Sequence, residues 1–171
     1  MIVHAGLLAL WRRGGWSGVL IEGPSGAGKS DLALRALEAG FRLVSDDRTR
    51  LFVSSGRLFG RAPPTLTGMI EARGLGVVPE SALLLAEVCL VVRCVRAPED
   101  VDRMPEIGFQ TRAGVDVPSI HLWAFEHSAP AKLRRAIQWL GGREARAYLA
   151  TLAHGRPCAG DMRIAPLGHL T

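Results

Sequence analysis

The chain has 171 residues and a mass of 18.4 kDa, a length that fits a single domain spanning 1–171. Apolar residues make up 48% and charged residues 22%, which excludes a disordered chain, and no apolar run approaches the ~20 residues of a membrane-spanning helix. A net charge of +5 suits a nucleotide or an acidic partner as well as nucleic acid; no motif joins that charge to nucleic acid, so no nucleic-acid partner is expected.

Residues 2–10 (IVHAGLLAL) read as a buried strand, and Gly14-Gly15 as a hairpin turn into a second strand over 17–22. A glycine-rich loop covers 23–28. Residues 29–39 carry Leu32, Ala33, Ala36 and Leu37 at helical spacing, and Gly40 is a C-terminal stop. Residues 41–45 form a strand that ends in Asp46-Asp47. Residues 49–54 and 58–62 flank Ser55-Gly56 as a hairpin. Pro63-Pro64 breaks the pattern. Residues 69–78 are strand-like with two glycines, 82–86 a short helix, and 87–95 (EVCLVVRCV) a central strand. Residues 97–117 read as a loop with little regular structure, and 120–125 as a further strand. Two helices, 131–140 and 143–153, are separated by Gly141-Gly142, and the tail after Gly155 is irregular. Strands interleaved with helices indicate α/β. Cys89, Cys94 and Cys158 are an odd number and read as reduced, buried thiols.

Gly23-Pro24-Ser25-Gly26-Ala27-Gly28-Lys29-Ser30 fits the phosphate-loop pattern G-x-x-x-x-G-K-[ST], with an apolar strand before it and an amphipathic helix after it. The glycines let successive backbone N–H groups point at phosphate oxygens, and the helix start adds partial positive charge. Lys29 is one of only two lysines, Lys132 being the other. It is expected to bridge β- and γ-phosphates of ATP, with the Ser30 hydroxyl on Mg2+.

Asp46 and Asp47 stand at the carboxyl end of a strand, where open sheets bind ligands. One carboxylate can hold Mg2+ while the other takes a proton from an attacking hydroxyl. Glu71-Ala72-Arg73-Gly74-Leu75-Gly76 combines an acid, a base and glycines. It suggests a loop with Glu71 as metal ligand and Arg73 as phosphate contact. On spacing alone it reads as a solvated, salt-bridged turn.

Taken in order, a His in a first strand, V-L-I-x-G-P-S-G-A-G-K-S-D-L-A-L, G-F-R-L-V-S-D-D and E-A-R-G-L-G resemble the catalytic domain of bacterial HPr kinase/phosphorylase over roughly residues 2–140. The match is to the short form found in α-proteobacteria, without the N-terminal domain of the long forms. The resemblance implies an α/β phosphate-loop core with a mixed sheet, similar to the phosphoenolpyruvate carboxykinase-like fold. It implies a cytoplasmic serine kinase that uses ATP and Mg2+ on HPr, the phosphocarrier of the sugar phosphotransferase system. Long members form hexamers, so a homo-oligomer is implied. Carried over by position, Lys29 and the loop bind ATP, and Ser30 and Glu71 bind Mg2+. Asp47 is the base, Asp46 its metal-side partner, and His4 an active-site histidine beside them.

One position departs from the pattern. The family's P-G-R-N-L aligns with Pro118-Ser119-Ile120-His121-Leu122, so Ile120 stands where the family has a catalytic arginine; Arg112 is a candidate replacement. That loss argues against the family's second activity, phosphorolysis of phosphoserine. The alternative reading is a small-molecule phosphate-loop kinase of shikimate or nucleoside type, which fits the size but usually carries the loop on its first strand.

Overall fold

The computed structural model describes residues 1–142. Along the chain run β1 (Ile2–His4), β2 (Gly6–Arg12), β3 (Gly15–Glu22), α1 (Lys29–Glu38), β4 (Arg42–Ser45), β5 (Arg48–Ser54), β6 (Arg57–Arg61), β7 (Met69–Ala72), β8 (Gly76–Pro79), β9 (Ala86–Cys94), β10 (Gly108–Arg112), β11 (Val115–Leu122) and α2 (Ala129–Leu140). Among the described residues no helix is long and apolar enough to cross a membrane.

Among the described residues nine strands make one mixed sheet in the order β1-β5-β6-β9-β3-β2-β4, with the β10-β11 hairpin joined to it through β9. Val88 and Leu90 to Val92 are all buried, the near-continuous apolar run of a strand covered on both faces. One edge of β9 pairs parallel with β3. The other edge forks: its first residues pair antiparallel with β6, its last parallel with β11. Because β2 is antiparallel to both β3 and β4, those two strands share a direction. The carboxyl ends of β3, β4, β9 and β11 therefore meet along one rim.

Two apolar layers flank the sheet. On one face α1 and α2 pack Leu32, Ala36, Leu133 and Ile137 against Val19, Ile21, Leu90 and Val92. On the other, the β5-β6 hairpin curls over to press Leu51 and Leu58 onto Leu7, Leu20 and Val91. Each fully buried leucine contributes about 1.5–3 kcal/mol relative to exposure. α1 ends as its sequence dictates: Gly40 takes φ +88°, its N–H reaches the Leu37 carbonyl at 2.9 Å, and the Phe41 N–H reaches Ala36 at 3.0 Å. That pair of bonds is the glycine C-cap that satisfies orphan carbonyls.

The structure corrects several sequence expectations. Residues 2–10 are two strands, broken at Ala5, because β1 pairs with β5 while β2 pairs with β3 and β4. Residues 69–78 are a hairpin, β7-β8, turned at Gly74 and Gly76, both with φ +91°. Residues 82–86 are not a helix: Ala82 bridges Leu43 and the Leu83 N–H donates to the Leu43 carbonyl at 2.8 Å, so pairing along β4 wins. Residues 97–117 hold β10 and the start of β11, turned at Ala113-Gly114 with φ +50° and +79°. The second strand of that hairpin runs Val115–Leu122 rather than 120–125, and α2 begins at Ala129 rather than 131. The expected helix 143–153, the tail after Gly155 and Cys158 lie outside the described residues.

Candidate active site

The phosphate loop leaves β3 at the rim and enters α1. Gly23 passes against β9 so closely that a Cβ there would lie 2.6 Å from the Cys94 carbonyl oxygen. Gly26 and Gly28 take φ +80° and +81°, the left-handed region that glycine enters at no steric cost. The Ala27 N–H closes the loop on the Pro24 carbonyl at 3.2 Å, and Leu32 is the first to donate to a helix-type acceptor, the Gly28 carbonyl at 2.8 Å. The amides just before it are the unpaired donors that every helix start carries. Lys29 Nζ folds back to the carbonyls of Gly23 at 2.9 Å and Pro24 at 3.1 Å. Its ammonium is thus held at the loop by bonds that an incoming phosphate can replace.

Opposite stands the turn after β4. The Arg48 N–H donates to the Asp46 carbonyl at 2.6 Å, a three-residue turn with Asp47 at φ +59°. A positive φ on a non-glycine residue costs energy and marks sites held by their surroundings. What holds this one is a buried relay beneath it. The Ser45 hydroxyl donates to Thr49 Oγ1 across 2.6 Å, and the Thr49 hydroxyl donates to the Ala5 carbonyl at 2.7 Å. The relay ties the ends of β4 and β5 to the break between β1 and β2, which carries His4. As a result His4 Nδ1 lies 3.1 Å from Asp47 Oδ1. Asp46 turns the other way, its Oδ2 accepting the Glu71 backbone N–H at 2.8 Å, and so fixes β7 to the site. Burial holds the Asp46 carboxyl above its ordinary value, with the Asp47 charge adding to the rise and the Glu71 amide opposing it.

Between these elements lies a cleft of about 450 Å³ lined by His4, Ser25, Gly26, Gly28, Lys29, Ser30, Asp47, Glu71 and Arg73, together with Asp31, Leu34 and Phe125. Of the residues named from sequence, Ala27 is buried beneath the loop, while Gly23 and Pro24 line a neighbouring cavity of about 430 Å³ that His4 also borders. The position of the missing arginine and its candidate replacement both lie off the cleft lining. Ile120 pairs with Val92 in the sheet and packs on the core beneath the helices, away from the cleft lining. Arg112 is clamped by Glu22, with Nη2–Oε2 at 2.7 Å and Nε–Oε1 at 3.1 Å, and lines the second cavity instead.

Sequence reasoning missed Ser45, Thr49 and Phe125. Phe125 follows β11 at the rim, its ring 3.0 Å from where a Cβ on Gly28 would sit. Arg35 of α1 fastens this segment by donating to the carbonyls of Ala124 and Glu126 while pairing with Asp31 at 2.6 Å. The sequence signal was an aromatic just past the carboxyl end of a strand, on the side where ligands bind.

The Ser30 hydroxyl and the carboxylates of Asp47 and Glu71 line the cleft with oxygen donors of the kind a hard divalent cation takes, and the loop amides suit phosphate, whereas Asp46 lies outside the lining and the described residues hold no ready cluster of three metal-ligating side chains. Comparison with known proteins agrees. Residues 2–87 match the family model described as HPr Serine kinase C-terminal domain. The chain is 46% identical over 66 residues to the HPr kinase/phosphorylase of Clostridium beijerinckii, covering 39% of this chain and 22% of that protein. It is 37% identical over 114 residues to the one from Limosilactobacillus reuteri, covering 60% of this chain and 36% of that protein. The chain thus spans well under two thirds of the curated relatives it matches. A solved structure, the Hpr(Ser) kinase/phosphatase from Coxiella burnetii, superposes with a TM-score of 0.68 at 26% identity, covering 88% of this chain and 99% of that one. The small-molecule kinase alternative is set aside by these matches, and two strands, not none, precede the one that carries the loop. The chain belongs to the family of the HPr serine kinase C-terminal domain.

Proposed function

We propose that the chain is an ATP-dependent serine kinase of the cytoplasm that phosphorylates an HPr-type phosphocarrier, residues 1–171 acting as one catalytic unit. The observation that carries this reading is the facing of Lys29 and Ser30 across one cleft from the His4–Asp47 pair. Bound ATP and Mg2+ supply the phosphoryl group and neutralise charge on its oxygens. Ser30, Glu71 and Asp46 are the residues to hold the metal; the loop amides and Lys29 hold the phosphates. Asp47 accepts the proton of the incoming serine hydroxyl, and His4 keeps its carboxylate aimed. Arg73 spreads charge on the transferred group, while Phe125 and Leu34 limit water. Catalysis of this kind is positioning plus electrostatics.

The forward reaction outruns phosphorolysis, since neither Ile120 nor the clamped Arg112 adds positive charge to the cleft, and the protein works as a homo-oligomer, a hexamer by family analogy. Incubating the protein with labelled ATP·Mg2+ and purified HPr, then mapping phosphoserine by mass, tests the reading. One phosphoserine on HPr is expected. Label on a small hydroxyl compound with none on HPr overturns it. Light scattering that finds only an 18.4 kDa species at micromolar concentration removes the oligomer.

A further inference from the structure

The outer face of the β1-β5-β6 ribbon carries more positive charge than its structure can use. Register places side chains of one face in line: His4 opposite Arg48, Ile2 opposite Arg50, Arg50 opposite Arg61, and Phe52 opposite Phe59. The alternate residues Thr49, Leu51, Leu58 and Gly60 are buried on the inner face, so this set points outward. Arg50 and Arg61, directly opposed, are like charges in a cross-strand pair, a destabilising arrangement. Arg48, Arg50 and Arg61 are exposed and have no carboxylate partner among the described residues, whereas Arg57 at the far end is neutralised by Glu87 at 3.0 Å. Aromatic rings support one of these guanidiniums: Arg61 lies 5.7 Å over Phe52, which stacks on Phe59 at 5.8 Å. That contact restrains Arg61 and lowers the entropy it loses on binding.

The strip is also continuous with the cleft. Arg48 follows Asp47 in the chain and faces His4 across the ribbon. From there Arg50 and Phe52 lead outward along β5 for roughly 13 Å at ~3.4 Å per residue.

We infer that this face docks an acidic surface of the protein whose hydroxyl enters the cleft, with Arg48, Arg50 and Arg61 as its contacts. The inference rests on the kinase reading above. An acceptor protein seated in the cleft must lie over one of its walls, and this wall offers exposed charge of the complementary sign that no carboxylate among the described residues neutralises. Rim charges of this kind act mainly on association rate and are screened by salt.

The test measures binding and transfer separately. Titration calorimetry with a purified acidic HPr-type carrier, in low salt, is compared for wild type, Arg50→Glu/Arg61→Glu and the milder Arg50→Ser/Arg61→Ser, each checked for an unchanged thermal transition. Affinity is expected to fall ~10-fold or more in the reversal variant and several-fold in the neutral one, with the gap narrowing at 0.5 M salt. ATP affinity should stay at the wild-type value. Binding by wild type without transfer keeps the docking face and removes the kinase reading. Failure of wild type to bind the carrier, equal affinity in all three proteins, or tighter arginine-dependent binding of a single-stranded oligonucleotide overturns the docking face.

Discussion

The carboxylates of the adjacent residues Asp46 and Asp47 part company: Asp46 accepts the Glu71 backbone N–H at 2.8 Å, while Asp47 sits 3.1 Å from His4 Nδ1. One turn thus presents two acids in unlike environments, the arrangement by which neighbouring carboxyls take different chemical roles. Asp47→Asn is expected to lower the transfer rate by ~10²-fold or more, as loss of a general base does, with ATP affinity nearly unchanged. Asp46→Asn is expected to weaken ATP·Mg2+ binding as well as rate. Steady-state kinetics with HPr-type acceptor separates the two. Near-normal rates in both variants reduce the pair to a turn.

Asp46 also sets a pH dependence of stability. Its carboxyl is held above the ordinary 3.8 by burial first, so the folded chain binds the proton more tightly than the unfolded one. Between the two values stability falls as pH rises, and the deficit is complete above the raised value. Asp46→Asn keeps an acceptor for the Glu71 amide and removes the buried charge. It should therefore melt above wild type at neutral pH, with the difference vanishing as pH drops below 3.8. A variant that melts lower at neutral pH contradicts this account.

Lys29→Ala should abolish phosphoryl transfer while the circular dichroism spectrum and melting temperature stay close to wild type. The lysine's bonds go to loop carbonyls and not to the core. Transfer at the wild-type rate by the folded variant removes the loop from the mechanism.

Gly23→Ala tests the seat of the loop. The added Cβ meets the Cys94 carbonyl oxygen at 2.6 Å and its Cβ at 3.0 Å, on a backbone with φ +151°. Overpacking of this sort costs about 1–3 kcal/mol. A lower melting temperature together with lost nucleotide binding is expected, whereas Gly14→Ala, in open space at the far end of β3, should leave nucleotide binding intact.

The phosphate loop, α1 with its glycine stop, and β9 were legible because each announces itself locally, by glycine spacing, helical period or an unbroken apolar run. The acids and Lys29 were legible as chemistry. What pairing decides at long range was not. Residues 2–10 look uniform, yet Ala5 is a break because the pairing partner changes there from β5 to β3 and β4, and its carbonyl is left to accept the buried Thr49 hydroxyl. The β10-β11 hairpin has a polar composition since its outer strand is half exposed. Arg112 carried the right charge for the site, but Glu22 lies at the end of β3 and holds it elsewhere. Cys89 and Cys94 are buried and outside any disulfide among the described residues, and burial pushes the Cys94 thiol up to about 11, with the Lys29 charge opposing. Its reading as a reduced, buried thiol agrees with that packing.

The fork on β9 bears on when the protein becomes competent, as well as on where its groups stand. The strand that carries the phosphate loop pairs with β9 from Ser17 opposite Glu87 onward, and β11 reaches the rest of the sheet through β9. Parallel pairings between segments so distant in sequence form slowly, because chain closure must precede the contacts that reward it. The strand, loop and helix over 15–38 are neighbours in sequence, but the wall that Gly23 leans on belongs to β9. A nucleotide that needs the seated loop would bind only chains in which this parallel pairing has formed, so its binding would report on the sheet as well as on the loop.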